Sequence, residues 1–329
     1  MDDRARSNAR GNRSNRQVRT GGPGILAKAR RFAGRARLKA LLTRDVARWK
    51  WSRLSFGARN IVLRNRPIPL QISEVSFQLL PKGQIVAELW SGLRFEHSEL
   101  EFILSVLQPG MTFLDLGGNV GLFAVAAAKK IGGRSVYTLE PCSSTYEILQ
   151  QNLFLNQVME VHALRTAIGD SIGEATLQIN ASGSDGLNTI GEPAHPYCQI
   201  VGTEKVPLTT LEAFLADQGI DRVDVMKVDL EGAELLAFRG GERLLRRPDA
   251  PVILYESHGI LTKGFGYHTV EIMWLLQDCG YKLFRGPRQR PPQQDGDRCL
   301  HLVDSTYEGM IVAAKPTHPA YRALPVERA

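Results

Sequence analysis

The sequence predicts a doubly wound α/β domain whose sheet is mostly parallel and ends in an antiparallel pair of strands. Three observations carry that prediction. From Phe95 onward, short β-like runs alternate with helical periodicities, as successive βαβ units require. The first run passes through glycines straight into an alanine-rich helical stretch, "FLDLGGNVGLFAVAAAKK", residues 113–130. The last two runs, "YKLF" and "EGMIVAAK", are separated by a Pro-rich polar loop, "RGPRQRPPQQDGDR", with no helix to make a crossover. They should therefore pair antiparallel at the sheet edge.

The elements follow in order. Residues 1–24 have almost no apolar side chains and cannot offset the entropy of ordering, so a disordered basic tail is expected. Over residues 25–67, Leu38, Leu41, Leu42, Val46 and Trp49 recur at helical spacing among arginines, which predicts a basic amphipathic helix and a linker. Residues 68–94 hold short alternating runs, "LQISEVSFQLL" and "QIVAELW", read as a small β element. The main domain, 95–329, opens with helix "EHSELEFILSVL", stopped by Pro109 and Gly110. Strand "MTFLDL", helix 121–130, strand "SVYTLE", helix "SSTYEILQQNLFLN" and strand "EVHALRTAI" come next. A long polar region then leads to helix "LTTLEAFLADQG", strand "VDVMKVDL", helix "GAELLAFRGGERLL", strand "PVILYES", helix "TVEIMWLLQDCG" and the closing pair. No internal repeat is present.

Composition narrows the classes. At 43% hydrophobic and 23% charged residues, the balance is that of a globular protein. No apolar run approaches the roughly 20 residues a spanning helix needs, and the basic N-terminus lacks a signal peptide's apolar stretch, so a cytoplasmic protein is expected. Cys142, Cys198, Cys279 and Cys299 are widely spaced, which suggests neither a zinc site nor a disulfide framework. The net charge of +7 hides an asymmetry: residues 1–60 hold 17 Lys or Arg and three acids, a net of +14, which leaves −7 for the remainder. The basic extension is read first as a helix packing its apolar stripe with its arginines solvated. Contact with an anionic membrane surface, which would make the protein peripheral, or with nucleic acid stays open.

In a doubly wound sheet, ligands bind beyond the carboxyl ends of the strands where strand order reverses, and the glycine turn belongs there. Its spacing, Asp115, Gly117, Asn119 and Gly121, is a poor match to the dinucleotide fingerprint G-x-G-x-x-G. Asp115 would repel a pyrophosphate but suits a ligand carrying an ammonium group. Glu140 ends the next strand, where a carboxylate can accept both ribose hydroxyls. An adenosyl ligand with positive charge and no phosphate satisfies both acids, and S-adenosylmethionine is such a ligand. Asp170, after "RTAIG", either accepts an adenine amine or shapes a turn with Gly173.

Together, "FLDLGGNVGLFA", "YTLEPCSSTYEILQQNLFLN", "TAIGD", "VDVMKVDLEGAELLAFRGGERLL" and "PVILYES" resemble the FkbM family of S-adenosylmethionine-dependent methyltransferases over roughly Phe95 to Lys315. The resemblance implies a seven-stranded, Rossmann-like class I methyltransferase fold and O-methylation of hydroxyl groups on sugars, glycans or natural-product small molecules. Gly118 stands where the family usually has alanine, a change expected to be harmless. Residues 1–67 lie outside the resemblance.

The K-x-D-x-E-G-x-E block, Lys227 to Glu234, puts Lys227 and Asp229 two residues apart on one strand, facing the same side. Methyl transfer to oxygen needs a positioned hydroxyl whose proton is removed as the bond forms. Asp229 is the first choice for that base, with Lys227 orienting it or stabilising alkoxide character. Glu231 and Glu256 would hydrogen-bond the acceptor. These carboxylates could instead take a divalent metal, although the metal-free reading is favoured. Glu234 is expected to serve the helix it begins, and His258 is an alternative base. The polar loop Asn180 to Tyr197 is a candidate acceptor lid. A competing reading is an RNA-binding protein or RNA methyltransferase using the basic extension.

Overall fold

The computed structural model describes residues 55–90, 96–181, 185–287 and 300–324. The tail 1–24, the amphipathic helix expected within 25–54 and Cys299 lie outside the described residues. Residues 55–62, expected to be linker, are helical.

Strands β1 (Ile68–Ile72) and β2 (Val75–Leu79) form an antiparallel hairpin, as their alternation predicts. The run after it is not a strand: Gln84–Trp90 is a helix. Ile85, Val86 and Ala87 are buried consecutively, which a pleated strand with one wet face does not allow.

The principal sheet contains β3 (Phe113–Leu116), β4 (Val136–Leu139), β5 (His162–Leu164), β9 (Val225–Val228), β10 (Val252–Ser257), β11 (Lys282–Arg285) and β12 (Gly309–Ala314). Their order is β11-β12-β10-β9-β3-β4-β5, parallel except that β12 runs antiparallel to both β10 and β11. This is a seven-stranded, mostly parallel Rossmann-like sheet with an antiparallel pair at one edge, as the sequence predicts. Strand order reverses beside β3, so the crevice opens beyond the carboxyl ends of β3, β4 and β9.

The expected strand "EVHALRTAI" divides into β5 and β6 (Ala167–Gly169), which join different sheets. The polar region after it also holds two long strands, β7 (Gly173–Asn180) and β8 (Ile200–Thr210), paired antiparallel, with β6 parallel to β8. Their apolar signal is weak because this small sheet buries little: Leu177 and Val206 join Cys142 and Ala167 in a minor core.

Two larger cores cover the faces of the principal sheet. One gathers β1, β2 and helices His97–Val106 and Leu122–Ile131; the other gathers helices Leu211–Asp217, Glu234–Arg239 and Thr269–Asp278. The edge of β2 is closed by side chains rather than by another strand. Asn152 and Asn156 accept from the Leu80 and Gln78 N–H groups at 2.8 Å, while Asn152 donates to the Val120 carbonyl at 2.7 Å. Asn152 therefore ties the hairpin to the glycine turn. Among the described residues no helix is long and apolar enough to cross a membrane.

Candidate active site

The glycine turn is built by backbone conformation. Gly117 (φ 84°), Asn119 (φ 46°) and Gly121 (φ 87°) all adopt positive φ, and a Cβ on Gly117 would run into the Asp229 carbonyl. Gly118 is tighter than the sequence implies. The alanine usual in the resembling family would place its Cβ against Thr138 Oγ1 and Leu149, so here the exchange is not harmless.

Every amide from Gly117 to Gly121 is satisfied within the protein. Gly117 and Gly118 donate to the Leu139 carbonyl at 3.0 and 2.9 Å, and Gly121 donates to the Gly118 carbonyl at 2.8 Å. Asn119 donates to Glu140 Oε2 at 3.0 Å, and Val120 to Asn119 Oδ1 at 2.8 Å. These five donors are therefore unavailable to a pyrophosphate, which normally binds through such groups.

Parallel register aligns three polar residues on one face: Thr138, Asp115 and Lys227 are partners across β4, β3 and β9. Asp115 is fully buried; Thr138 donates to its Oδ2 at 3.4 Å, and its Oδ1 has no partner. Burial pushes the Asp115 carboxyl up to about 7, against the pull of Lys227. Lys227 is 3% exposed, donates to Asp229 Oδ2 at 2.9 Å and stands 4.7 Å from the centre of the Phe123 ring. Burial alone would lower its pKa, but Asp229, Glu96 and Asp115 outweigh burial and hold the ammonium above the ordinary lysine range.

Glu231 and Glu256 share the crevice with Asp229: one carboxylate oxygen from each lies within 4.8 Å of the others. Glu231, at φ 51°, follows β9, and Glu256 lies near the end of neighbouring β10. Both residues are half-buried. Burial, then repulsion among the acids, raises both well above the ordinary glutamate range. Glu234 differs. Its Oε1 accepts from the Leu230 and Gly232 N–H groups at 2.8 and 3.3 Å, the structural role expected for it.

Two further acids join this group without any sequence motif. Glu96 and Glu99, at the start of helix His97–Val106, are 9% and 6% exposed, and each has an Oε2 without a partner. Burial raises Glu96 to about 8 and Glu99 to about 7, with Lys227 opposing the shift at both. Their only local signal was acids beside apolar helical positions, which ordinary surface helices share.

The other expected residues are placed less centrally. Glu140 accepts from Asn119 and from the Cys142 N–H at 2.9 Å, so it fixes the turn as well as lining it. Asp170 is exposed and follows β6, outside the principal sheet. His258 is exposed; its charge is felt by His195, whose pKa burial and then His258 lower. The loop Asn180 to Tyr197 bonds into this region: Thr189 Oγ1 donates to the Glu231 carbonyl at 3.0 Å and Glu192 N–H to the Gly264 carbonyl at 3.1 Å.

The arrangement combines a buried lysine, a paired carboxylate and unpaired acids, which suits proton transfer and recognition of positive charge. The family profile described as methyltransferase FkbM domain matches residues 115–283, just over half of the chain. The chain is 29% identical over 216 residues to methyltransferase sdnD of Sordaria araneosa, covering 56% of this chain and 80% of that protein. It is 28% identical over 147 residues to methyltransferase 1 of Beauveria bassiana, covering 40% and 59%. Among solved structures, precorrin-6y C5,15-methyltransferase of Geobacter metallireducens aligns over 67% of this chain and 88% of its own, at 13% identity and a TM-score of 0.39.

Proposed function

The chain belongs to the FkbM family of S-adenosylmethionine-dependent methyltransferases, and on that premise we propose that it is an O-methyltransferase acting on a hydroxyl of a sugar, glycan or natural-product small molecule. The Lys227–Asp229 pair at the carboxyl end of β9 carries this reading.

The crevice fits the cofactor by its donor set. Its turn amides are already used, and Asp115 presents a buried acceptor without a partner, which a phosphate would avoid and an ammonium group would satisfy. Asp115, Gly117, Asn119 and Gly121 would hold the amino-acid end and Glu140 the ribose, with Asp170 at the adenine side. When bound, S-adenosylmethionine supplies an electrophilic methyl group.

Asp229 acts as the general base: Lys227 engages its Oδ2, leaving Oδ1 to receive the acceptor's proton. The Lys227 ammonium stabilises negative charge developing on an acceptor oxygen. That charge favours a hydroxyl over an amine, whose nitrogen turns positive on methylation. Glu231 and Glu256, biased towards their protonated forms, can donate hydrogen bonds to neighbouring acceptor oxygens. The described residues of the polar loop from Asp185 to Tyr197, tied to the Glu231 carbonyl through Thr189, would contact the acceptor.

Incubating the protein with cell extract and methyl-labelled cofactor tests this by mass spectrometry. A product heavier by one CH2, labelled on oxygen and absent with Asp229→Asn, is expected. Label on nitrogen or carbon, or an undiminished rate in Asp229→Asn, would refute the reading.

A further inference from the structure

We propose that Glu204, held by Arg165, is a positioning residue for the cofactor's nucleoside: it fixes the segment that follows Glu140 and so sets that carboxylate for the ribose. The inference rests on the reading of Glu140 as the ribose acid given above, and it gives the small β6-β8-β7 sheet a part in cofactor binding.

Residues Glu140 to Ser143 lie where β4 gives way to helix Ser143–Leu155. A helix begins with amides that have no partner of their own, and a Ser, Thr, Asp or Asn just before it normally accepts from them. Here Cys142 precedes the helix and makes no side-chain cap. The acceptor comes instead from Glu204 on β8, 61 residues away from Ser143. Its Oε2 accepts from the Ser143 N–H at 3.1 Å and from Ser143 Oγ at 2.9 Å, while its Oε1 accepts from Arg165 Nη1 at 2.7 Å. Both carboxylate oxygens are therefore engaged, one by the residue that follows β5 and one by the helix.

These bonds close a bracket around Glu140. Its N–H donates to the carbonyl of Leu164, the neighbour of Arg165, at 3.1 Å. Its Oε1 accepts from the N–H of Cys142, the neighbour of Ser143, at 2.9 Å, and its Oε2 from the Asn119 N–H at 3.0 Å. Packing acts in the same sense. Glu204 and Val206 alternate onto one face of β8, and Val206 is fully buried with Cys142 in the minor core. That face of the small sheet grips Cys142 by apolar contact and Ser143 by charge. A shift of the Cys142 amide displaces the Glu140 oxygen it holds, and a grip on two neighbouring hydroxyls tolerates little displacement.

Calorimetry on the full-length protein compares S-adenosylhomocysteine with its analogue lacking both ribose hydroxyls. Glu204→Ala should weaken S-adenosylhomocysteine by roughly tenfold, the loss expected when one charge-assisted hydrogen bond fails, and leave affinity for the analogue unchanged. Glu204→Gln keeps an oxygen for Ser143 and should recover part of the loss. Combined with Glu140→Ala, Glu204→Ala should add nothing further, because both act on the same grip. Equal losses for the two ligands would make Glu204 a helix cap alone and overturn the inference, as would unchanged affinity in Glu204→Ala. Where Glu204→Ala does not fold, Arg165→Met, which removes only the outer arm of the bracket, carries the same comparison with a smaller selective loss expected. Glu140→Ala alone separates the two readings. If it binds S-adenosylhomocysteine as the intact chain does, the ribose assignment fails and this inference with it; a loss there without one in Glu204→Ala overturns this inference only.

Discussion

Lys227 governs the crevice at the scale of single residues because it is buried among acids that otherwise repel one another. Replacing it with methionine keeps most of the volume and leaves Asp229 without its partner. Breaking one side of a buried pair costs about 3–5 kcal/mol, so Lys227→Met should melt well below wild type and lose at least a hundredfold in transfer rate. A variant as stable and active as wild type would remove Lys227 from its assigned role. The acids make a second prediction, about pH. Folded-state values are raised to about 8 at Glu96 and about 7 at Glu99, Asp115 and Glu234. A folded chain that keeps protons its unfolded form releases is stabilised below the unfolded values, and that stability is lost as pH rises through the folded ones. The melting temperature should therefore fall from about pH 5 to about pH 8. Glu96→Gln should flatten the decline, and a melting temperature that climbs across this window would contradict the burial of these acids.

Elements explain how the acids are brought together and why only some were visible in the sequence. β3 and β9 were legible because they are short apolar runs interrupted by a charged residue, Asp115 in one and Lys227 in the other. Their alignment across the sheet was not, since register depends on pairing between distant strands. Gln84–Trp90 is ambiguous in the sequence because a short apolar run has no distinctive period, and β7 and β8 leave little apolar signal because most of their side chains are not buried. Glu96 reaches the site only through packing of its helix. The turn offers a direct test of element packing. Gly118→Ala should destabilise the chain by about 1–3 kcal/mol through overpacking against Thr138, and adding Thr138→Ala should restore much of the loss. Additive losses in that cycle, measured by urea unfolding, would show that the two sites do not conflict.

On the scale of the whole molecule, charge is divided between the basic first 60 residues and a remainder with a net charge of −7. The crevice belongs to the acidic part, so a polyanion has no electrostatic reason to enter it. Any RNA retained by the full chain should be released steeply with salt and lost when residues 1–54 are removed. Salt-resistant binding by the shortened chain would restore the nucleic-acid reading. The seven-stranded order also accounts for the crevice's location, because the order reverses beside β3, where the turn and both polar strands meet. What ties these scales together is the proposal that a turn with its five amides already bonded, flanked by Asp115 and Glu140, would accept a cationic nucleoside rather than a phosphate. Calorimetric titration of S-adenosylhomocysteine into the intact protein, Glu140→Ala and Asp115→Asn tests this most directly. One site on the intact chain, weakened at least tenfold in each variant, is the expected result. No binding to the intact chain, or equal affinity in all three proteins, would contradict it.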